Sequence, residues 1–211
     1  MKIGVIGSGL MGAKIGTIWA RAGHQITFSY SRNPSKLERL ARDAGGKVGT
    51  PAEAAQADVI LLSVHWSRID DVLEQVGELS GKVVINCCVP LDEENANLVV
   101  GTTTSGAEKL AERLPHVRWV SAFNTSPSEV LFEVFEGRKT RSPRPQMIYY
   151  GDDEWAKKVA RQLISDVGYE PLDTGALRNA RFVEPFAMVT AELAYSQPGG
   201  PELVYRFDRL G

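Results

Sequence analysis

A glycine-rich turn close to the start of the sequence is the feature that most restricts the fold. The apolar run Ile3–Ile6 leads directly into GSGLMG at residues 7–12, and a segment with helical periodicity follows from Leu10 to Arg21. Glycines spaced G-x-G-x-x-G between a buried strand and a helix are typical of dinucleotide-binding folds. The first permits a tight turn, the second lets a pyrophosphate approach the backbone, and the third lets the helix pack on the strand. The turn therefore predicts a phosphate site at a helix N-terminus.

Short apolar runs alternate with helical segments along the rest of the chain. Further strands are predicted at residues 26–30, 59–64, 82–86, 117–122, 147–150 and 170–172, and further helices at 34–42, 69–76, 107–114, about 126–137, 153–165 and 177–195. This order predicts an α/β fold of the Rossmann type, with a doubly wound, mostly parallel sheet and a small C-terminal helical appendage. We expect one domain over residues 1–211, in which the helix and tail of about 176–211 complete the substrate pocket.

Composition excludes several other classes of protein. The net charge of −2 provides no field that would attract nucleic acid, and no apolar run has the 18 or so residues of a membrane span. The first apolar run is too short for the core of a signal peptide. Cys87 and Cys88 are sequence neighbours that cannot bridge without strain, so both are expected to be free thiols. We predict a cytoplasmic protein without a metal site and without a nucleic-acid or membrane partner.

The residues after the second predicted strand indicate which dinucleotide binds. An Asp or Glu at this place would accept a bond from a ribose 2′-hydroxyl and repel a 2′-phosphate. The sequence instead has Ser31 and Arg32, followed by Asn33 and Lys36. An arginine fork, a lysine charge and a hydroxyl suit a phosphate, so the pattern predicts NADP(H) rather than NAD(H).

The ends of the later strands supply the remaining candidates, because ligands of open α/β sheets bind at the carboxyl ends of the strands. The predicted cofactor-binding residues are Gly7, Ser8, Gly9, Leu10, Met11, Gly12, Ser31, Arg32, Asn33, Lys36, Ser63, Val64, His65, Cys88 and Val89. The residues predicted to position reacting rings are Ser63, His65, Trp66, Pro90, Asn124, Thr125, Gly199 and Gly200. Trp66 could equally be a packing residue, and the two cysteines are expected to act as small apolar side chains.

Several motifs together resemble one known family. They are GSGLMG (7–12), SRN (31–33), SVHW (63–66), NCCVP (86–90), GDDEWAKKVARQLIS (151–165), PLDTGALRNARFVEP (171–185) and GGPELVYRF (199–207). The chain is similar in these motifs to the coenzyme F420-dependent NADP oxidoreductases. The resemblance implies reversible hydride transfer between NADP(H) and the deazaflavin coenzyme F420, a homodimer, and a Gly199–Gly200 turn that closes over the site. Hydride exchange between two rings moves no proton at the nicotinamide, so no catalytic acid or base is obligatory.

Two features leave other functions open. His65 stands where related sequences often have proline, and it could bond a ligand, act as a general acid, or be a solvated polar residue. The segment 136–146 carries Arg138, Lys139, Arg141 and Arg144, which could attract the anionic tail of F420 or could be a solvated loop. The alternatives are an NADPH-dependent reductase of a flavin, a quinone or an imine, and a non-enzymatic NADP(H) sensor.

Overall fold

The computed structural model describes residues 1–210 and contains, within that range, eight strands and eight α-helices. The strands are β1 (Lys2–Ile6), β2 (Gln25–Ser29), β3 (Lys47–Val48), β4 (Val59–Leu62), β5 (Val83–Asn86), β6 (Arg118–Ala122), β7 (Gln146–Gly151) and β8 (Glu170–Asp173). The helices are α1 (Leu10–Arg21), α2 (Pro34–Ala44), α3 (Pro51–Ala54), α4 (Ile69–Val76), α5 (Gly106–Arg113), α6 (Leu131–Gly137), α7 (Glu154–Val167) and α8 (Ala180–Ala191).

All eight strands form one sheet in the order β3-β2-β1-β4-β5-β6-β7-β8. Every neighbouring pair is parallel except β6 and β7, which pair antiparallel. The first six positions reproduce the strand order of a doubly wound dinucleotide-binding sheet, whose switch point lies between β1 and β4. The structure therefore confirms the predicted Rossmann-type fold, and it places the GSGLMG turn at the crevice where such sheets bind ligands.

Helices cover both faces of the sheet, so its central strands are buried on both sides. One core cluster contains Ile15 and Trp19 of α1 together with Leu163 of α7. The other contains Val72 of α4, Leu110 of α5 and Val183 of α8. Strands β4 and β5 are buried throughout, which explains why they read as continuous apolar runs rather than as alternating ones.

Most predicted elements lie within two residues of their observed bounds, and the differences have local causes. The second strand ends at Ser29 because Tyr30 has a φ of 57°, outside the extended region. The strand predicted over residues 59–64 ends at Leu62, since residues 63–65 turn into the cleft. Strand β3 and helix α3 were missed, having only two and four residues respectively.

The predicted C-terminal helix over residues 177–195 is not continuous. A 3₁₀ turn at Leu177–Asn179 precedes α8, and a π-helical turn at Glu192–Ser196 follows it. Pro185 lies inside α8, where it can donate no hydrogen bond to the turn before it. The tail then runs back to the sheet, where the amide of Gln146 donates to the carbonyl of Tyr205 at 3.0 Å.

Three predictions from the sequence concern a membrane-spanning helix, a metal site and a disulfide. Within residues 1–210, no helix is both long and apolar enough to cross a membrane. The same residues contain no group of three or more His, Cys, Asp or Glu side chains that could hold a metal ion. Cys87 and Cys88 are both free and buried.

Candidate nucleotide-binding cleft

The glycine turn has a backbone that other residues could not easily adopt. Gly7 has a φ of +103°, and a Cβ placed there would lie 2.1 Å from the carbonyl oxygen of Ser63. A Cβ on Gly12 would lie 1.9 Å from the carbonyl oxygen of Gly7, so the first turn of α1 packs directly on the loop before it. A Cβ on Gly9, in contrast, would meet no atom within 4 Å. The middle glycine therefore faces open space, as close approach by a ligand requires.

The N-terminus of α1 is available to an anion. Gly9 is its N-cap residue, no side chain caps it, and its first turn holds no acidic residue. The first amides of a helix have no partner within the helix and carry a partial positive charge. Ser8 turns away, because its hydroxyl donates to the carbonyl of Ser29 at 3.0 Å and its amide donates to the carbonyl of Tyr30 at 3.3 Å. This helix end could therefore bind a pyrophosphate through backbone amides.

A cavity of about 760 Å³ opens beside the turn, and we call it the polar pocket. It is lined by Gly7, Ser8, Gly9, Tyr30, Ser31, Arg32, Asn33, Lys36, Ser63, Val64, His65, Ser67, Arg68, Glu93 and Asn95. The structure thus brings together the glycine turn, the residues after β2 and the residues after β4. Ten predicted residues are among the lining, whereas Tyr30, Ser67, Arg68, Glu93 and Asn95 were not predicted.

The segment after β2 presents two unpaired cations. Asn33 caps α2, since its Oδ1 accepts from the amide of Lys36 at 2.9 Å, and the hydroxyl of Ser31 accepts from the amide of Asn33 at 3.2 Å. Within residues 1–210, the side chains of Arg32 and Lys36 form no hydrogen bond or ion pair, and both are exposed. The turn is therefore held by Ser31 and Asn33, while Arg32 and Lys36 remain free to bind an anion.

His65 does not have a free ring nitrogen. Its Nδ1 accepts from the amide of Ser67 at 3.2 Å, so the proton lies on Nε2, which donates to the carbonyl of Asp92 at 3.1 Å. This bond ties the β4–α4 turn to the loop 91–98, whose residues Glu93 and Asn95 line the polar pocket. The geometry gives His65 a structural role and does not support its use as a general acid.

A second cavity, of about 690 Å³, continues from the first, and we call it the apolar pocket. The two share Gly9, Ser63, Val64, His65 and Asn95, so they form one cleft. The apolar pocket is further lined by Leu10, Met11, Cys87, Cys88, Val89, Leu91, Phe123, Asn124, Thr125, Ser126, Pro127, Ser128, Glu129, Ala187, Met188, Thr190, Ala191 and Tyr195. Helix α8 and the turn after it supply one wall.

Asn124 and Thr125 are fixed from behind by tyrosines. The amide of Asn124 donates to the hydroxyl of Tyr150 at 2.8 Å, while its Oδ1 is buried and has no partner within residues 1–210. The hydroxyl of Thr125 bonds that of Tyr205 at 2.7 Å, and the Tyr205 hydroxyl also accepts from the amide of Ile148 at 3.0 Å. The C-terminal tail therefore helps to position the floor of the apolar pocket through Tyr205.

The two thiols carry no charge into the apolar pocket. Burial raises the pKa of both Cys87 and Cys88, that of Cys88 to about 12. Within the described chain, the other ionisable side chains that line this pocket are those of His65, Glu129 and Tyr195. Glu129 is the one carboxylate among them. Its carboxylate accepts from the Tyr195 hydroxyl at 2.9 Å. The pocket thus holds a carboxylate at its rim and no lysine or arginine.

Four predicted ring-positioning residues do not line the cleft. Trp66 packs partly buried against a core cluster, and Pro90 is buried next to Gly106. Gly199 and Gly200 form an exposed turn that lines neither pocket. That this turn closes over a bound ligand stays a prediction, and the tail contacts the cleft indirectly, through the bond of Tyr205 to Thr125.

The basic segment 136–146 also lies outside both pockets. Arg141 pairs with Glu133, and Arg138 stacks 3.7 Å from the ring centroid of Phe135. The carbonyl of Arg144 accepts from Arg206 in the tail at 3.0 Å. At least two of its four cations are therefore engaged with helix α6 and do not face the cleft.

Comparison with solved structures shows the same fold elsewhere. A protein from Arthrobacter sp. FB24 to which F420-dependent NADP reductase activity is ascribed is 22% identical, with a TM-score of 0.87 over 99% of this chain and 100% of that one. A hypothetical protein from Sinorhizobium meliloti is 25% identical, with a TM-score of 0.73 over 99% of this chain and 96% of that one. An imine reductase from Streptomyces aurantiacus is 21% identical, with a TM-score of 0.66 over 90% of this chain and 62% of that one.

Sequence comparison gives two further matches. The metalloreductase STEAP3 of Rattus norvegicus is 26% identical over 183 residues, which are 87% of this chain. The chain spans only 36% of the length of that curated relative. Residues 2–90 match the family model for NADP oxidoreductase, coenzyme F420-dependent. These residues contain the glycine turn, the SRN segment and the strand ends of β4 and β5. The match confirms the resemblance that the sequence motifs predicted.

Proposed function

We propose that the protein is an NADP(H)-dependent oxidoreductase in which a hydride moves between the nicotinamide and an acceptor bound in the apolar pocket. The observation that carries this proposal is one cleft with two different ends. Its first end has an uncapped helix N-terminus and the free cations Arg32 and Lys36. Its other end has mostly apolar walls. This polarity matches a molecule with phosphates at one end and an aromatic ring at the other.

The residues present fit the phosphate end of NADP(H). Open space beside Gly9 admits the pyrophosphate to the first amides of α1. Arg32 and Lys36, which have no protein partner in the described chain, would bind the adenosine 2′-phosphate. No carboxylate lies within residues 30–36, and Glu93 on the loop 91–98 is the one acid that lines the polar pocket within the described chain.

The apolar pocket supplies positioning rather than proton transfer. When bound, the nicotinamide provides or receives the hydride, and the protein has to align two rings and exclude water. Met11, Val89 and Phe123 contribute apolar walls, while Thr125 is held by Tyr205. The neutral thiols of Cys87 and Cys88 offer no competing nucleophile.

Coenzyme F420 is the acceptor that we propose first. The description of the family model that matches residues 2–90 supports it, as does the activity ascribed to the Arthrobacter protein of the same fold. In this reaction a bound deazaflavin would exchange a hydride reversibly with the nicotinamide, and the residues that line the apolar pocket would hold the two rings.

An imine is the second candidate, and one observation favours it. Glu129 stands at the rim of the apolar pocket, and no lysine or arginine lines that pocket within residues 1–210. A protonated imine is a cation and would be attracted there, whereas the anionic tail of F420 would not. The segment with four cations that could bind such a tail lies outside the cleft.

Mixing the protein with NADPH and single acceptors would test both candidates. The near-ultraviolet absorbance of NADPH is followed after addition of F420, FMN or a cyclic imine. Oxidation with F420 alone supports the first proposal, and oxidation with the imine alone supports the second. Tight NADPH binding without turnover of any acceptor would refute the enzymatic proposal and favour a sensor.

We also propose that two copies associate through helix α8. Phe182 and Val189 of α8 are seven residues apart and share one face of the helix, and Leu193 follows four residues later in the π-helical turn; their exposed fractions are 65%, 53% and 49%. Exposed apolar side chains that form a stripe are typical of an interface. Sedimentation velocity should show a dimer for the wild type and a monomer for Val189→Glu/Leu193→Glu. A wild type that stays monomeric at all concentrations would refute this proposal.

A further inference from the structure

The polar pocket contains a second arginine that no sequence motif indicated. Arg68 lies at the end of the 3₁₀ turn that follows β4, on the other side of the switch point from Arg32. Both side chains line the same cavity, together with Lys36. The cavity therefore receives cations from two separate parts of the chain.

Arg68 is held in place by two neighbours. Its Nη2 donates to Asp71 Oδ2 at 2.8 Å, and its Nε donates to the hydroxyl of Tyr30 at 3.1 Å. The Tyr30 hydroxyl itself donates to Asp71 Oδ2, which closes a ring of three hydrogen bonds. The other oxygen of Asp71 accepts from Gln75 Nε2 at 3.0 Å. Both carboxylate oxygens are thus engaged, and the guanidinium has one defined orientation.

The positive group faces the cavity and its counter-ion lies behind it. Arg68 lines the polar pocket, whereas Asp71 does not. Within residues 1–210, Nη1 of Arg68 has no hydrogen-bond partner. The hydrogen bond from Tyr30 lowers the pKa of Asp71, and the bond to Tyr30 raises the pKa of Arg68, so the pair stays ionised. One nitrogen of an oriented cation is therefore left for a ligand.

We propose that Arg68 is a second arginine of the 2′-phosphate site and determines specificity for NADP(H) over NAD(H). The inference rests on the proposed function, since it requires that NADP(H) binds in the cleft. A phosphate monoester carries nearly two negative charges and accepts several charge-assisted bonds. Arg32 is free to donate two hydrogen bonds to this phosphate. Arg68 adds a cation whose position is already fixed, so its side chain loses little entropy on binding.

Direct binding measurements test this role without the need for an acceptor. NADPH and NADH are titrated calorimetrically into the wild type, Arg68→Ala and Arg113→Ala. Arg113 is a matched control, because it is an exposed arginine that pairs with Asp70 on α4 but lies outside both pockets. We expect Arg68→Ala to weaken NADPH binding about tenfold and NADH binding less than twofold, while Arg113→Ala changes neither.

A double variant distinguishes two causes of weaker NADPH binding: loss of the contact with Arg68, and repulsion by the carboxylate of Asp71 once its cation is gone. Arg68→Ala leaves the charge of Asp71 without its cation, and this alone would repel a phosphate. Arg68→Ala/Asp71→Asn removes both charges, and we expect its NADPH affinity to stay about tenfold below that of the wild type. Recovery to the wild-type affinity would overturn the proposal.

Two further outcomes are decisive. Equal losses for NADPH and NADH in Arg68→Ala would mean that Arg68 contacts a part shared by both molecules, and the proposal would be wrong. Wild-type NADPH affinity in Arg68→Ala would also refute it, while leaving the proposed function intact. A wild type that does not bind NADPH would instead refute the proposed function itself.

Discussion

Replacement of Gly9, the middle glycine of the turn, should weaken NADPH binding while leaving the protein folded. Gly9 has a φ of −74° and a ψ of −161°, which alanine can adopt, and a Cβ there meets no atom within 4 Å. The new methyl group would project into the cleft, because Gly9 lines both pockets. Gly9→Ala should therefore fold, at a cost of up to about 1 kcal/mol for a poorer N-cap residue.

The effect on NADPH binding should be larger than the effect on stability. A methyl group beside the first amides of α1 would push the pyrophosphate away and weaken its bonds to those amides. Hydrogen bonds to a charged group contribute about 1.5–3 kcal/mol each. Loss of one such bond corresponds to an increase of the dissociation constant of roughly thirtyfold.

The assay combines calorimetric titration of NADPH with thermal unfolding. Gly101→Ala is the matched control, because a Cβ on Gly101 also meets nothing within 4 Å but lies outside the cleft. We expect Gly101→Ala to bind NADPH like the wild type. A folded Gly9→Ala variant that also binds like the wild type would show that no pyrophosphate lies against this turn.

Three further changes have defined outcomes. Arg32→Ala should weaken NADPH by about 1–2 kcal/mol in titration calorimetry and leave NADH nearly unchanged, and an equal loss for both would contradict the 2′-phosphate assignment. Burial raises the pKa of Glu184 to about 7, so the folded state holds a proton that the unfolded state has released. The unfolding free energy of the wild type relative to Glu184→Gln should therefore fall as pH rises from about 4.5 to 7 and then level off, and a pH-independent difference in urea melts would refute this. Tyr205→Phe removes the acceptor of the Ile148 amide and should lower the unfolding free energy by about 1–3 kcal/mol, whereas unchanged urea midpoints would show that the tail does not anchor there.

The sequence predicted the architecture because its signals are local and repeated. A buried parallel strand reads as an apolar run, as in Val59–Leu62, and the helices over Leu10–Arg21 and Ile69–Val76 have the predicted bounds. The glycine turn was also predictable, since Gly7 and Gly12 meet steric requirements of the fold and Gly9 leaves open the space that a ligand needs. Elements of two to four residues, such as β3 and α3, carry too little periodicity to be recognised.

The site was predictable where a motif lies next to it in sequence, and not where the fold brings distant residues together. Arg68 reads as an ordinary exposed arginine, and its role depends on Tyr30, 38 residues earlier. Tyr205 reaches Thr125 across 80 residues. The position of Arg68 depends on how the strands pair, and that of Tyr205 depends on the path of the tail. Neither can be predicted from a single segment of the sequence.

The bond between His65 and Asp92 bears on how a ligand enters and leaves. It is the only hydrogen bond that joins the loop 91–98 to the described residues outside 89–99. A neutral hydrogen bond contributes about 1 kcal/mol, which corresponds to roughly a fivefold preference between two states. Replacement of His65 should therefore loosen the wall of the polar pocket that Glu93 and Asn95 form, and we expect a dinucleotide bound there to exchange faster than in the wild type.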